Sequence, residues 1–288
     1  MSQVIQNVSD TAFMVAGFRA AETEREEPLF RDPLAAKLAG EHGRNILATV
    51  PKSFVGGWSV VIRTVIIDGF IEQAIRQGVD TILNLGAGLD TRPYRMDLPR
   101  SLRFVEVDFP DVIALKEARL ADEEPRCRLE RVALNLTDRA ARKAFLAGVN
   151  AQAGKILVLT EGVTPYLTDE DVGDLADDLR RTERVRYWIV DYFSPEAIKF
   201  GAKLRRKFMR NAPFQFAPKD WFAFFAAHGW KASELRYISE EAERLGRPIP
   251  LPLWLRLWVK AASVFASRAR RERMRRFAAY VLLVPSVT

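Results

Sequence analysis

The feature of this chain that most constrains its fold is an alternation of strand-like and helix-like stretches from Val79 onward. Short apolar runs recur as "ILNLG", "LRFVEVD", "GKILVLTEG" and "VRYWIVDYF". Between them lie stretches typical of helices, such as "TDRAARKAFLAGV" and "TDEDVGDLADDLRRT". This rhythm predicts an α/β fold in which a parallel sheet carries helices on both faces.

The segments on either side of the alternating region predict the domain organisation. Residues 1–78 are predicted to form an N-terminal helical segment or lid, in which Asp32 caps a helix that Gly40 ends. Residues 79–288 are predicted to form the main domain. Its closing strands are expected in "AHGWKASELRYI" and "AAYVLLVP", with a helical insertion or lid at about 195–275.

The basic charge of the chain is local. The net charge is +7, and residues 256–276 alone hold eight basic residues and one acid, so the remainder is neutral. Because no basic sheet, zinc-ligand spacing or heptad accompanies this charge, we predict neither a nucleic-acid partner nor a metal. The single cysteine, Cys127, excludes an intramolecular disulfide, and with no signal peptide recognised it favours a cytoplasmic protein.

The basic segment is also amphipathic. Within 251–276 the polar residues Arg256, Lys260 and Ser263 recur at helical spacing, opposite Trp254 and Trp258. Such a helix packs in a core, covers a hydrophobic acceptor, forms a dimer face or lies on an anionic membrane surface. The pattern leaves these four alternatives open.

The loop after the first strand indicates the ligand. Gly86 and Gly88 form a "GAG" turn, and Asp108 follows Gly88 by 20 residues, where an acid binds the hydroxyls of a ribose. Thr91 replaces the third glycine of a dinucleotide site, and Asp90 disfavours a pyrophosphate. An acid there suits a sulfonium or ammonium group, so the pattern favours S-adenosylmethionine over NAD.

Four longer motifs resemble one family. "NLGAGLDTRPYR", "VEVDFPDVIALK", "LTEGVTPYLTDEDV" and the opening "FRAAETEREEPLFRDPLAAKLAG" are similar to the leucine carboxyl methyltransferase family, including bacterial O-methyltransferases of polyketide and other small-molecule pathways. The resemblance covers roughly residues 12–195. It implies a class I methyltransferase with a Rossmann-like seven-stranded sheet, S-adenosylmethionine as cofactor, and a role in secondary metabolism.

The resemblance also implies a set of cofactor-binding residues. Gly86 and Gly88 would approach the methionine portion, with Asp90 behind them, and Asp108 would hold the ribose, with Glu106 as the second choice. The remaining assignments are Asn135 and Leu136 beside the adenine, Glu161 near the sulfonium, Arg63 at the cofactor carboxylate, and Arg19 as a second such arginine.

Each of these residues also has a structural interpretation. The two glycines can serve strand–helix packing alone, and Asp90 and Asp108 can cap helices. Arg63 can pair with Asp68 or Glu72 along its own helix, and Glu161 can be a structural carboxylate.

Catalytic residues are harder to predict. A carboxylate acceptor needs no general base, whereas a hydroxyl acceptor does. The only histidines, His42 and His228, are each better explained by structural roles. The catalytic candidates are Asp191, Tyr192 and, despite its structural explanation, His228. Asp191 and Tyr192 lie at the end of the fifth strand, where they either face the acceptor or pack in the core.

The sequence thus predicts a cytoplasmic, S-adenosylmethionine-dependent O-methyltransferase. Its acceptor is expected to be a carboxyl or hydroxyl group of a small or carrier-bound organic molecule. Three alternatives remain: a protein C-terminal carboxyl methyltransferase, an NAD-dependent oxidoreductase, and a non-catalytic cofactor-binding or membrane-associated protein.

Overall fold

The computed structural model describes residues 8–50, 55–199, 214–251, 272 and 275–286. The strands of this part are β1 Thr81–Leu85, β2 Arg103–Asp108, β3 Arg128–Ala133, β4 Ile156–Thr160, β5 Val185–Phe193, β6 Trp230–Tyr237 and β7 Ala278–Pro285. They form a seven-stranded sheet in the order β3-β2-β1-β4-β5-β7-β6, in which β7 runs antiparallel to both neighbours. The predicted α/β fold and both closing strands are confirmed.

The helices flank this sheet. They are α1 Val8–Thr23, α2 Pro33–Thr49, α3 Gly56–Arg76, α4 Arg92–Arg95, α5 Pro110–Arg119, α6 Arg139–Gln152, α7 Asp169–Arg181, α8 Trp221–Ala227 and α9 Ile238–Arg244, with a 3₁₀ turn at Thr164–Tyr166. None of these described helices is long and apolar enough to cross a bilayer.

Two apolar layers hold the helices to the sheet. Because successive strand residues point to opposite faces, Leu83 packs with α6 and α7 while its neighbour Ile82 packs with α3. α3 contributes Ile66, Ile67 and Phe70, each at most 1% exposed, to that second layer. Because β1, β2, β4 and β5 are parallel, their carboxyl ends lie along one edge of the sheet. Residues of α1 and α3 lie beside this edge.

The predicted helix boundary at Gly40 is confirmed, although helical structure resumes directly after it. Asp32 does cap the helix, accepting from Ala35 N at 3.1 Å. Gly40, at φ +59° and ψ −156°, is not helical and separates two helical stretches, the second of which continues to Thr49. Burial of Ile46 beyond the break, at 2% exposure, gives this second half its own apolar contacts with α1.

The amphipathic helix predicted over 251–276 lies outside the described residues, except for 251, 272 and 275–276. The core, lid, dimer and membrane alternatives for this segment stay predictions.

Candidate active site

A cavity of about 250 Å³ opens at the carboxyl ends of β1 and β4. Gly86, Gly88 and Asp90 from the turn after β1 line one side, and Glu161 and Gly162 after β4 line the other. Helices α1 and α3 cover them, so the N-terminal segment forms a wall of the cavity. Four of the predicted cofactor-binding positions thus lie in this lining, and Arg19 and Arg63 join them from the two covering helices.

The glycine turn serves both packing and the cavity. Gly86 and Gly88 have φ values of +71° and +48°, which L side chains rarely adopt. A Cβ on Gly86 would lie 2.3 Å from Val163 Cγ2, so this glycine makes room for the chain that follows β4. A Cβ on Gly88 would lie 3.4 Å from Ala12 of α1. That is an ordinary contact distance, so the positive φ, not lack of space, favours glycine at position 88.

The two acids of β2 have different surroundings. Asp108 accepts from Gly88 N at 2.7 Å and from Phe109 N at 2.7 Å, and burial raises its pKa. Glu106 is fully buried and accepts from Lys116 Nζ at 2.6 Å and Arg131 Nε at 2.9 Å. A ligand at this edge can reach Asp108, whereas Glu106 is sealed in the core by its own ion pairs.

An exposed aromatic ring lies beside Asp108. Phe109 is 45% exposed, more than any other large apolar side chain in the described part of the chain. Sequence reasoning missed it, although an aromatic residue directly after a strand-ending acid was a usable signal.

Arg92 is the centre of a charged cluster next to the cavity. Its Nη1 lies 2.8 Å from Asp90 Oδ2 and 2.8 Å from Glu161 Oε2, and its Nε lies 2.7 Å from Asp68 Oδ1. The cluster alternates four arginines with four carboxylates and is neutral overall: Arg19, Arg63, Arg92, Arg95, Asp32, Asp68, Asp90 and Glu161. Sequence reasoning did not single out Arg92, because two of its partners, Asp68 and Glu161, lie 24 and 69 residues away in the chain.

The cluster keeps its acids ionised. Burial alone would raise the pKa values of Asp90 and Glu161, but Arg92 and the neighbouring cations outweigh it and hold both below their usual range. Asp90 also accepts from Arg92 N at 3.0 Å and Asn84 Nδ2 at 2.9 Å. Its charge is therefore matched within the protein, not left free for a cationic ligand as the sequence suggested.

Arg63 pairs across the cavity, not along its own helix. Its Nε lies 2.8 Å from Glu161 Oε1, and Asp68 instead binds Arg92 and Arg95. Within this ion pair, the Arg63 Nε–H makes no hydrogen bond to any described residue. The guanidinium thus retains a buried donor on the cavity wall, which fits the carboxylate of an amino-acid ligand.

Arg19 differs, because its donors are engaged. Its Nε lies 2.8 Å from Asp32 Oδ2, and its Nη2 donates to Leu89 O at 2.5 Å. It ties α1 to the start of α2 and to the glycine turn. Arg19 therefore belongs to the cavity lining and also holds the glycine turn of that lining in place.

A second cavity, of about 160 Å³, lies at the carboxyl end of β5. Asp191 and Tyr192 line it, and Phe214 belongs to the lining of both cavities. Asp191 is 3% exposed and accepts from Tyr280 Oη at 2.7 Å and Gly162 N at 2.9 Å. Burial raises the pKa of Asp191 to about 6, although these two donors and Arg63 oppose the rise.

The other predicted residues have varied positions. Tyr192 packs edge-on against Trp221, with ring centroids 5.5 Å apart, in the second cavity. His228 Nδ1 lies 2.8 Å from Asp177 Oδ1, and His42 Nε2 lies 2.9 Å from Asp10 Oδ1. Neither histidine belongs to the described lining of either cavity.

The structure places the predicted adenine-flanking pair outside the cavity lining. Asn135 is exposed at the end of β3 and accepts from Thr137 N at 3.0 Å. Leu136 is partly buried, and its carbonyl accepts from Arg142.

The sheet order and the cavity at its carboxyl edge define a class I methyltransferase fold, which solved structures share. A Thermobifida fusca protein described as a putative methyltransferase aligns with a TM-score of 0.57 at 14% identity, covering 99% of this chain and 97% of that one. A DUF574 family protein from Streptomyces avermitilis aligns with a TM-score of 0.55 at 15% identity, covering 94% of this chain and 97% of that one.

The sequence comparisons then define the family. The chain matches the leucine carboxyl methyltransferase family over residues 12–180, more than half of its length, and belongs to that family. Two relatives are each named "Putative S-adenosyl-L-methionine-dependent methyltransferase". The Streptomyces avermitilis protein is 31% identical over 84% of this chain and 89% of its own length. The Frankia alni protein is 35% identical over 84% of this chain and 88% of its own length.

The predicted family, enzyme class and cofactor are therefore confirmed: the chain is an S-adenosylmethionine-dependent methyltransferase. The NAD-dependent oxidoreductase and the non-catalytic protein are set aside.

Proposed function

We propose that this methyltransferase acts on a carboxyl or hydroxyl oxygen of a small or carrier-bound organic molecule. The observation that carries the proposal is the contact between the two cavities. Phe214 lines both, and a 2.9 Å hydrogen bond joins Gly162 of the first to Asp191 of the second. A charged cavity beside an aromatic one suits a donor with an amino-acid end next to an organic acceptor.

The first cavity is the proposed cofactor site. When bound, S-adenosylmethionine supplies a methyl group already activated on its sulfonium. Arg63 would hold the cofactor carboxylate with its spare donor, while Arg92 keeps Glu161 and Asp90 in place beside it. Arg19 would act by fixing the glycine turn.

The ribose and adenine are proposed to extend from this cavity past Gly88. Asp108 would accept from the ribose hydroxyls, because its carboxylate already lies against Gly88 N at the edge of the turn. The exposed ring of Phe109 offers a flat surface for the adenine. Asn135 and Leu136 stay assigned to the far side of the adenine on the resemblance alone.

The protein's part in catalysis is alignment and proton handling. A carboxylate acceptor is ionised at neutral pH and needs no base. A hydroxyl acceptor must lose its proton, and Asp191 is the proposed recipient, since it is buried at the junction and its pKa is about 6. Tyr192 would pack against the acceptor, and we assign His228 no proton transfer, because it lies with Asp177 outside both linings.

A small acceptor is favoured over a protein C-terminus. The second cavity has a volume of about 160 Å³, which matches about one ring. The cytoplasmic location, the role in secondary metabolism and the lack of a nucleic-acid partner stay predictions.

The first test is calorimetric titration with S-adenosylmethionine, S-adenosylhomocysteine and NAD in parallel. We expect the two sulfur nucleosides to bind and NAD not to bind. Methyl-labelled S-adenosylmethionine is then offered with a panel of aromatic and aliphatic acids and alcohols. A methyl ester releases labelled methanol in mild alkali and a methyl ether does not, so product stability separates carboxyl from hydroxyl transfer. Transfer to nitrogen or carbon acceptors alone would refute the proposal.

A further inference from the structure

Two residues that line the second cavity each carry a buried polar atom with no hydrogen-bond partner among the described residues. These atoms are Trp221 Nε1 and Thr164 Oγ1, and both are buried. Both residues belong to the cavity lining. A buried donor without a partner is rare in a folded protein, because it has lost its water without a replacement.

Trp221 is the exception among the described tryptophans. An indole N–H is only a donor, so it needs an acceptor oxygen when it is buried. The other three described tryptophans each have one: Trp58 Nε1 donates to Arg247 O at 2.7 Å, Trp188 Nε1 to Thr160 Oγ1 at 3.0 Å, and Trp230 Nε1 to Ala176 O at 3.0 Å.

Thr164 is likewise the exception among the buried threonines. It is fully buried, at 0% exposure, in the 3₁₀ turn after β4. Each of the other five buried threonines has an acceptor for its hydroxyl: Thr64 donates to Val60 O, Thr81 to Asp80 Oδ1, Thr91 to Asp32 Oδ2, Thr160 to Ile189 O and Thr182 to Asp178 O. The fold thus provides a hydrogen-bond acceptor for every other buried threonine hydroxyl of the described residues, and the Thr164 hydroxyl remains able to donate to a ligand.

The cavity that these two residues line has the size and chemistry of an aromatic site. Its 160 Å³ is close to the ~150 Å³ of a cavity that accommodates benzene. The rings of Phe193, Phe214, Phe216 and Tyr192 line it. Offset and edge-to-face contacts among such rings favour a flat ligand.

We propose that the second cavity is the acceptor subsite and recognises a single aromatic ring bearing a carboxylate or carbonyl oxygen, which accepts hydrogen bonds from Trp221 Nε1 and Thr164 Oγ1. The inference rests on the proposed function, because it names the acceptor of the same reaction. A ligand oxygen is required, since Trp221 can only donate.

The charged residues of the lining are compatible with such an oxygen. Lys219 lies in the lining and offsets the charge of a carboxylate, and Asp220 is occupied in accepting from Ala223 N at 2.9 Å. Asp191 has both oxygens engaged by Tyr280 and Gly162.

The test uses the full chain saturated with S-adenosylhomocysteine and four probes. Benzoate and acetophenone combine a ring with an acceptor oxygen, toluene has the ring alone, and acetate has the carboxylate alone. Titration followed by NMR gives each dissociation constant. We expect benzoate and acetophenone to bind at least tenfold more tightly than toluene and acetate.

Two variants remove the proposed donors, and a third is the matched control. Thr164→Val and Trp221→Phe should each weaken benzoate about tenfold, the effect of one hydrogen bond to a charged or polar oxygen, and leave toluene unchanged. Thr160→Val, four residues earlier, removes a hydroxyl that donates to Ile189 O and accepts from Trp188 Nε1 of β5. It should lower the denaturation midpoint, whereas Thr164→Val should not, because its hydroxyl has no protein partner to lose.

The outcomes separate the two proposals. The acceptor subsite would be overturned if the unmodified chain bound benzoate no more tightly than toluene. It would also be overturned if Thr164→Val and Trp221→Phe bound benzoate as tightly as the unmodified chain. In either case, binding of S-adenosylhomocysteine would leave the proposed methyl transfer standing. A loss of stability in Thr164→Val equal to that in Thr160→Val would also overturn the acceptor subsite, since the hydroxyl would then have a structural partner. Failure of the unmodified chain to bind S-adenosylhomocysteine would instead count against the proposed function.

Discussion

Asp191→Asn should change how the stability of this protein depends on pH. In the native state Asp191 is buried between Tyr280 and Gly162, and its pKa rises from 3.8 to about 6. The native state therefore holds the proton more tightly than the unfolded chain does. Asn cannot ionise, so the substitution removes this difference in proton affinity.

The sign of the effect follows from the raised pKa. Below pH 3.8 both states carry the proton, and the stabilising contribution of protonated Asp191 is fully present. As the pH rises towards 6, the unfolded chain ionises first, and the contribution is lost. Each tenfold change in proton affinity is worth ~1.4 kcal/mol, so the full contribution is ~3 kcal/mol, of which the wild type should lose ~2.4 kcal/mol relative to Asp191→Asn between pH 4 and 7.

Other carboxylates do not mask this window. The pKa values of Asp68, Asp90 and Glu161 are lowered, because their arginine partners outweigh the effect of burial. Their contributions are present above the unfolded pKa and are lost only as the solution becomes more acidic. They occur in both proteins and cancel in the difference.

The measurement is urea unfolding of the wild type and Asp191→Asn at half-unit steps from pH 4 to 7. Asn presents an amide N–H to one of the two donors, which adds a pH-independent cost of ~1 kcal/mol. Asp122→Asn, at an exposed position, is the control and should stay parallel to the wild type. If Asp191→Asn also stays parallel, the buried proton is not there and the reasoning is refuted.

Three further substitutions test other contacts. Asp108→Asn should weaken S-adenosylhomocysteine about tenfold or more by calorimetry, because the ribose loses a charged acceptor; unchanged affinity would remove the ribose assignment. Arg63→Met should weaken S-adenosylmethionine far more than adenosine, which lacks the carboxylate; equal losses would argue for a purely structural Arg63. Lys116→Met should destabilise the fold by ~3 kcal/mol in urea unfolding, since Glu106 is 0% exposed and would keep only Arg131. A loss below ~1 kcal/mol would mean that Glu106 finds another partner.

Much of the fold could be predicted from the sequence, because the signals are local. The apolar runs predicted as strands at β1 and β4 are fully buried strands of the sheet. The turn residues Gly86 and Gly88 have the positive φ values that their glycines allow. Hydrophobic periodicity and turn-forming residues are recognised from residues that are neighbours in the sequence, so no tertiary contact is needed to identify them.

Part of the site could be predicted in the same way. The strand-ending acids Asp108 and Asp191, and Glu161 after β4, were found because parallel strands bring their carboxyl ends to one edge. Their surroundings were not found. Whether an acid ends free, capped or paired depends on side chains from other segments.

Only the tertiary structure decided those surroundings. Arg92 and Glu161 are 69 residues apart, Asp191 and Tyr280 are 89 apart, and no local pattern links either pair. The aromatic cavity likewise joins the end of β5 to Phe214 and to Trp221 of α8. The sequence by itself determined the strands, the turn and the family of this methyltransferase. The charge state of Asp191 and the unpaired donors of Thr164 and Trp221 follow from burial and long-range packing, which exist only once the chain has folded.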